Sequence, residues 1–209
     1  MGLPATEDFT YADGSSLEPG TTPNWTDFAG STRRMRIASN QLTVGSAGID
    51  DFAAWNADTF VNDQYSQIVI KAISNGQYLG PAVRCSLVAS TCYFAYADDG
   101  SDGIYIVKRV IGVSTDLNTS LGVGWAVNDV IRLEVSGSNL TLKKNGSTVL
   151  TASDSDIASG AAGVCGFGTY TVPLADTWEG GNLVAAAATS SKLYISGHRP
   201  APFKPGLGR

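Results

Sequence analysis

Charge is scarce in this chain: of 209 residues, 16% are Asp, Glu, Lys or Arg, against 43% hydrophobic. A disordered chain needs the reverse balance, and a body of this length buries roughly 70% of its unfolded surface without help from a metal or a disulfide. Glutamate is scarcer still, confined to Glu7, Glu18, Glu134 and Glu179, while glycine reaches 24. That composition excludes a coiled coil and argues against a mainly helical protein. With His198 the one histidine, a Ser-His-Asp hydrolase and a zinc site built from several His and Cys ligands both lack their residues. No run approaches the ~20 apolar residues of a membrane span. The start, MGLPATEDFTYADG, has neither the basic opening nor the apolar stretch of a signal peptide. The expectation is a chain that stays in the cytoplasm where it is made, or leaves without classical secretion, and has no membrane partner. Three cysteines permit one bridge at most. Cys85 and Cys92 flank SLVAST and would face each other if it closed a hairpin; a cross-strand bridge and two free thiols both stay open. Cys165 reads as a small core residue.

What is present is β sequence. Met35–Val44, Tyr65–Ile73, Ala82–Leu87, Cys92–Ala97, Gly103–Val110, Val130–Val135, Leu140–Lys144, Ser147–Thr151, Gly163–Gly168 and Asn182–Ala186 are short runs rich in β-branched and aromatic residues, separated by Gly/Asn/Asp/Ser clusters. Ten strands without helices predict a two-sheet antiparallel sandwich. Ile131, Leu133 and Val135 alternate with Arg132, Glu134 and Ser136, the pattern of a half-buried antiparallel strand with its apolar side inward. Asn145-Gly146 between two alternating runs is a type I′ hairpin signal, because both residues tolerate positive φ. In that register Leu142 faces Val149, and both join Ile131, Leu133 and Val135 between the sheets. No repeat at a fixed period occurs, which disfavours propellers and β-helices.

The run Val130-Ile-Arg-Leu-Glu-Val-Ser-Gly-Ser-Asn-Leu-Thr-Leu-Lys-Lys-Asn-Gly-Ser-Thr-Val-Leu150 resembles the strand–turn–strand–Asn-Gly–strand core of the concanavalin A-like lectin/glucanase superfamily, laminin-G-like domains included. Asn24-Trp25 with Ile37–Thr43 is similar to the early strands of such jelly rolls, and Ala161–Phe167 with Asp176–Leu183 to their last two. The resemblance spans residues 8 to about 186 and implies an all-β, two-sheet antiparallel jelly roll. It leaves activity open, since enzymes, sugar binders and adhesive domains share that fold. Retaining glycosidases need two carboxylates ~5–5.5 Å apart, which in the superfamily's glucanases resembles Glu-x-Asp-x-x-Glu on one strand. The four glutamates here are isolated, and the doublets Asp50-Asp51 and Asp98-Asp99 fall where turns are expected. The chain is therefore read as a non-enzyme with no cofactor.

Two features remain as candidate sites in the body. Asp98-Asp-Gly-Ser-Asp-Gly103 clusters the hard oxygens that calcium takes. It has Gly100 at the third ligand position and no closing glutamate, so a solvated hairpin turn is the preferred reading and no metal is assigned. Aromatic rings would serve a sugar as flat platforms. Phe94 and Tyr96 share one face of their strand, Tyr93 the other, with Tyr105 on the next strand. Trp25, Trp55, Trp125 and Trp178 are expected in core or inter-sheet packing.

The charge is divided unevenly. Residues 1–179 sum to −9, whereas Lys192, Arg199, Lys204 and Arg209 give the remainder +4. The acidic body makes a poor nucleic-acid binder, because phosphate contacts need clustered Lys and Arg. Residues 187–209 read as an extended basic arm following the domain 1–186, since Pro200, Pro202 and Pro205 forbid helix and central strand. Tyr194, Ile195 and Phe203 are its candidate apolar anchors, and Arg199, Lys204 and Arg209 its candidate contacts to an acidic surface, in a homo-oligomer or on another subunit. The His-Arg-Pro…Phe…Pro-Gly ending resembles the termini of small structural proteins of tailed bacteriophages. The first functional expectation is accordingly a non-enzymatic virion component, decorating a capsid or riding on a tail, assembled in a host cytoplasm. The alternative is a carbohydrate-binding module or adhesin, and the third reading a glycan hydrolase or lyase.

Overall fold

The computed structural model describes residues 2–27, 34–45, 50–73, 76–86, 88–98, 103–169, 172 and 174–184. Their regular structure is all strand: β1 (Ala5–Glu7), β2 (Trp25–Asp27), β3 (Arg36–Ala38), β4 (Gln41–Thr43), β5 (Asp51–Trp55), β6 (Gln64–Ala72), β7 (Tyr78–Cys85), β8 (Cys92–Asp98), β9 (Gly103–Val110), β10 (Val113–Leu121), β11 (Val130–Ser136), β12 (Asn139–Lys144), β13 (Ser147–Ser153), β14 (Ala161–Phe167) and β15 (Leu174–Asn182). They form two antiparallel sheets. One runs β13-β12-β11-β6-β15-β4-β3 with β1 added on β15, the other β10-β9-β8-β7-β14-β5-β2. The fold is an all-β jelly-roll sandwich.

Hairpins connect its neighbours where the turn chemistry allows. Asn145 (φ 50°) and Gly146 (φ 81°) join Lys144 to its partner Ser147, and Ser39 (φ 54°) with Asn40 (φ 57°) does the same between Ala38 and Gln41. Two consecutive positive φ values match the right-handed twist of the flanking strands.

The core lies between the sheets. Ile131, Leu133, Val135 and Leu142 are fully buried there, each such side chain contributing ~1.5–3 kcal/mol of transfer free energy. Trp25, Trp55 and Trp178 pack on one another at 4.8–5.3 Å. Each keeps its indole N–H satisfied, donating to Glu7 Oε2 (3.3 Å), Asp58 Oδ2 (2.9 Å) and Ser66 Oγ (2.9 Å) respectively. Trp125 is buried as well. Core packing is thus the fate of all four tryptophans, as the sequence suggests.

Several expectations change. Val149 does not oppose Leu142: a bulge between Leu142 and Lys143 pairs Leu142 with Leu150, which takes the inward place, and leaves Val149 half-buried. Met35–Val44 is a β3–β4 hairpin and not one strand, because Ser39-Asn40 turns it. Among the described residues the last strand is Leu174–Asn182; of the expected Asn182–Ala186, Leu183 and Val184 do not continue it, and residues 185 and 186 lie outside the described ones. The strand expected at Ala82–Leu87 begins earlier, at Tyr78, and carries Pro81 within it. β10 carries no inward apolar alternation and is held through its backbone to β9, whereas β5 is buried on both faces, so neither shows the half-buried pattern. Arg132 and Glu134 do face away from the interlayer, half-buried, with Arg132 Nε donating to Glu134 Oε1 (2.7 Å) and its guanidinium 3.4 Å over the Tyr65 ring. Cys85, Cys92 and Cys165 are all free and buried, so the two cysteines flanking SLVAST carry no bridge.

Candidate functional site

The alternation along β8 decides which rings can reach a ligand. Tyr93, Ala95 and Ala97 are buried against the opposite sheet, while Phe94 and Tyr96 stand on the outer face of the seven-stranded sheet. Tyr96 is the cross-strand partner of Tyr105 on β9, and Phe167 of β14 is the partner of Tyr78 on β7, so these pairs share faces. Contact between Tyr78 and Tyr96 joins them into one row: Phe167–Tyr78 at 5.7 Å, Tyr78–Tyr96 at 4.3 Å and Tyr96–Tyr105 at 4.7 Å between ring centroids. Interplanar angles of 17°, 21° and 11° make them near-parallel.

That spacing is the spacing of neighbouring strands, ~4.7–4.9 Å. The rings stand upright on four adjacent strands, and both faces of Tyr78 and Tyr96 are covered by neighbouring rings. Tyr96, which sequence reasoning offered as a flat platform, therefore does not present one. An approaching molecule meets ring edges and phenolic oxygens. The strands come close enough for this because β7 carries Gly80, where a Cβ would stand 1.8 Å from the Ala95 carbonyl oxygen of β8.

Above Phe167, Tyr78 and Tyr96 of this row lies a cleft of about 300 Å³, lined also by Asp50, Ser114 and Asp116 among others. Asp50, immediately before β5, spans it: Oδ1 accepts from the Tyr78 hydroxyl (2.6 Å) and Oδ2 from Arg109 Nη1 (3.1 Å). Burial pushes the Tyr78 hydroxyl far above the ordinary phenol value, with Cys165 and Asp50 adding to it, so it remains a neutral donor. Arg109 also donates from Nε to Ser90 Oγ (2.8 Å) and from Nη1 to Ser114 Oγ (3.0 Å), with its guanidinium carbon 5.1 Å from the centre of the Phe52 ring. One arginine thereby ties the β7–β8 loop, β10 and Asp50 into a rigid wall. Asp116, at the bulge of β10, lines the cleft from the open edge of the sheet.

The glutamates serve elsewhere. Glu7 accepts from the backbone N–H of Asp8 and Phe9, from Tyr11 and from Trp25. Glu18 pairs with Arg34, Glu134 with Arg132 and Lys143, and Glu179 accepts from the Tyr65 hydroxyl at 2.5 Å. Burial pushes the Cys165 thiol up, near Cys92 and Asp50. Burial and the neighbouring Cys85 do the same to Cys92, so both stay protonated and unreactive. Asp98 ends β8 and residues 99–102 lie outside the described ones; among the described residues no group of three metal-binding side chains is assembled. Tyr194, Ile195, Arg199, Phe203, Lys204 and Arg209 likewise lie outside the described residues, as does the rest of the 187–209 arm.

Sequence reasoning found Phe94, Tyr96 and Tyr105 by alternation. It missed Tyr78, Arg109, Ser114, Asp116 and Phe167, and saw Asp50 only as a turn residue. The one local signal was period-2 spacing of Arg109 with Val107 and of Phe167 with Cys165; which strands lie side by side is not written in either.

No protein-family model matches the chain, and no curated protein matches it in sequence. Solved structures do, through a lectin-like jelly-roll fold. The carbohydrate-binding module CBM66 from Bacillus subtilis is 22% identical with a TM-score of 0.55, covering 76% of this chain and 92% of its own. The exoplasmic/lumenal domain of VIP36 in its calcium-bound form is 11% identical with a TM-score of 0.56, covering 90% of this chain and 93% of its own. A Bacillus subtilis protein of unknown function with a galectin-like fold is 8% identical with a TM-score of 0.53, covering 82% and 98%.

Proposed function

We propose that this chain is a non-catalytic carbohydrate-binding domain whose glycan lies in the cleft over Phe167, Tyr78 and Tyr96. The observation that carries this reading is the cleft itself. It combines a floor of aromatic ring edges with hydrogen-bonding groups at Asp50 and Ser114, both held by Arg109 behind them, and an exposed carboxylate at Asp116. Sugar sites need just this mixture of apolar area and a few oriented polar groups. The fold likeness adds support: CBM66 is a carbohydrate-binding module, and the VIP36 domain is known in a calcium- and mannose-bound form. Both carboxylate oxygens of Asp50 are occupied by Tyr78 and Arg109, and the glutamates are held in structural roles, which favours binding without cleavage. Two aspartates beside one already-paired arginine favour neutral glycans. The virion reading drew on residues 187–209, on the charge division and on the missing catalytic carboxylates and signal peptide; none of the compared structures supports it, and glycan binding is proposed in its place.

The test is a glycan array with the full chain, followed by calorimetry on the best ligand with Asp116→Ala. Losing a hydrogen bond to a charged group costs ~1.5–3 kcal/mol, so affinity should fall about tenfold or more with the melting temperature unchanged. Silence across the array, or unaltered affinity in Asp116→Ala, would sink this reading.

A further inference from the structure

Where β7 ends at Cys85 a second depression opens, of about 440 Å³. Phe60, Cys85 and Ala161 line it as buried side chains, and Val88 lines it while standing 80% exposed. The polypeptide leaves the sandwich beside it. Leu183 N donates to Asp63 O (2.8 Å), and Val61 N donates to Asn182 Oδ1 (3.0 Å). The residues after β15 therefore lie along the stretch 61–63, which follows Phe60 directly. Val61 is 52% exposed there and Val184 93%. Exposed apolar side chains gathered about a concave surface mark a place that another element covers.

We propose that residues 192–196 of the same chain fold back into this depression, with Leu193 and Ile195 seated against Phe60 and Val88. Residues 185–209 lie outside the described ones and start at its edge, one position after Val184. The first seven, 185–191, are Ala, Thr and Ser and span at most ~25 Å when extended, a tether long enough to reach Val88. Lys192-Leu193-Tyr194-Ile195-Ser196 then alternates. Extended backbone puts Leu193 and Ile195 on one side, and Lys192, Tyr194 and Ser196 on the other.

Charge favours the same occupant. The segments 58–63 and 154–161, which contribute to the walls, carry Asp58, Asp63, Asp154 and Asp156 and no Lys or Arg; Arg84 and Lys108 answer part of that charge. No acidic residue follows Glu179, and Lys192, Arg199, Lys204 and Arg209 give the arm its +4, so the two surfaces are complementary in sign. The tether decides between copies. A short flexible link holds its own arm at an effective concentration of order mM, which the arm of a second molecule reaches only at comparable protein concentration. The depression is separate from the glycan cleft, and the proposal does not rest on the glycan reading.

Trypsin cuts after Lys and Arg but not before Pro, so Lys192–Leu193 is the one susceptible bond in residues 185–209, Arg199 and Lys204 each preceding a proline. The rate of that cut in the full chain, followed by mass with no glycan present, reports how often the arm is free. It should be about tenfold or more slower than in a synthetic peptide of residues 185–209, and constant over about a hundredfold range of protein concentration. Val88→Asn removes an apolar contact from the depression, and Ile195→Asp places a carboxylate among its aspartates. Each should bring the rate severalfold towards that of the peptide carrying the same arm sequence. Val88 is exposed and Ile195 lies outside the described residues, so the melting temperature of the sandwich should hold in both. Cutting of the full chain at the peptide's rate, or protection that either substitution leaves intact, overturns the proposal. So does protection that fades on dilution, which would give the depression to the arm of a second copy.

Discussion

Leu133 and Val149 were equivalent on the sequence pattern and are not equivalent in the molecule. Leu133 is fully buried between the sheets, opposite Leu142 on β12 and Ser66 on β6. Val149 lies in the bulged stretch of β13, half-buried beside the core. Leu133→Ala should therefore cost about 2–5 kcal/mol, the transfer term plus an unrelaxed cavity, whereas Val149→Ala should cost under ~1 kcal/mol and Leu150→Ala more than Val149→Ala. Urea unfolding of the three variants checks the order; equal losses at 149 and 150 would mean that the bulge is misplaced. Alternation made Leu133 legible. A bulge adds one residue to one strand and flips the parity beyond it, and nothing in Ser-Thr-Val-Leu announces where it falls.

At the scale of elements, the segment between β13 and β14 is latched to the seven-stranded sheet. Lys108 of β9 reaches Asp154 Oδ2 (2.7 Å) and Asp156 Oδ2 (2.5 Å), and the Tyr93 hydroxyl donates to Asp154 Oδ1 (2.6 Å) while accepting from Ile157 N (3.0 Å). Burial works to raise the Asp154 pKa, but hydrogen bonds from Lys108, Tyr93 and the Asp156 N–H outweigh it and hold the carboxyl below its ordinary 3.8. A depressed folded pKa stabilises above the unfolded value, and the contribution is lost as pH falls through the lower folded value. Burial and the Asp154 hydrogen bond push Tyr93 from 10.0 up to about 12. A raised folded pKa gives stability that is complete below the unfolded value and lost as pH rises through the folded one. The latch should thus be intact from about pH 4 to pH 10 and loosen on either side. Hydrogen exchange of the Ile157 amide, protected by Tyr93, reads this directly. In Asp154→Asn the acid limb should flatten; an unchanged acid limb would remove Asp154 from the latch. The Asn145-Gly146 turn was readable because its chemistry is contained in two residues. The latch was not, since its partners lie 46 and 61 positions apart.

For the whole molecule, charge bears on which ligands the proposed site would take. Residues 1–179 sum to −9, and the proposed cleft adds Asp50 and Asp116 at short range. Anionic glycans should be disfavoured against neutral ones of the same length at low ionic strength, with the gap closing at ~0.5 M salt, where screening acts over less than 8 Å. Calorimetry on a neutral and a uronic-acid oligosaccharide at two salt concentrations tests it. Tighter binding of the anionic ligand at low salt would show that Arg109, and not the aspartates, dominates the site.

The sequence by itself determined the all-β class, the β11–β12–β13 hairpin series and the inward set Ile131, Leu133, Val135 and Leu142. These follow from period-2 hydrophobicity and turn residues, which act over a few positions. Only the tertiary structure decided that β10 is a strand, that β15 lies between β6 and β4, and that Asp50, Tyr78, Tyr96, Ser114, Asp116 and Phe167 surround one cleft. β10 buries no apolar stripe and exists because β9 supplies its hydrogen bonds. The cleft gathers residues up to 117 positions apart, from Asp50 to Phe167. Their meeting depends on sheet order, set by the packing of two whole faces, which no local pattern encodes.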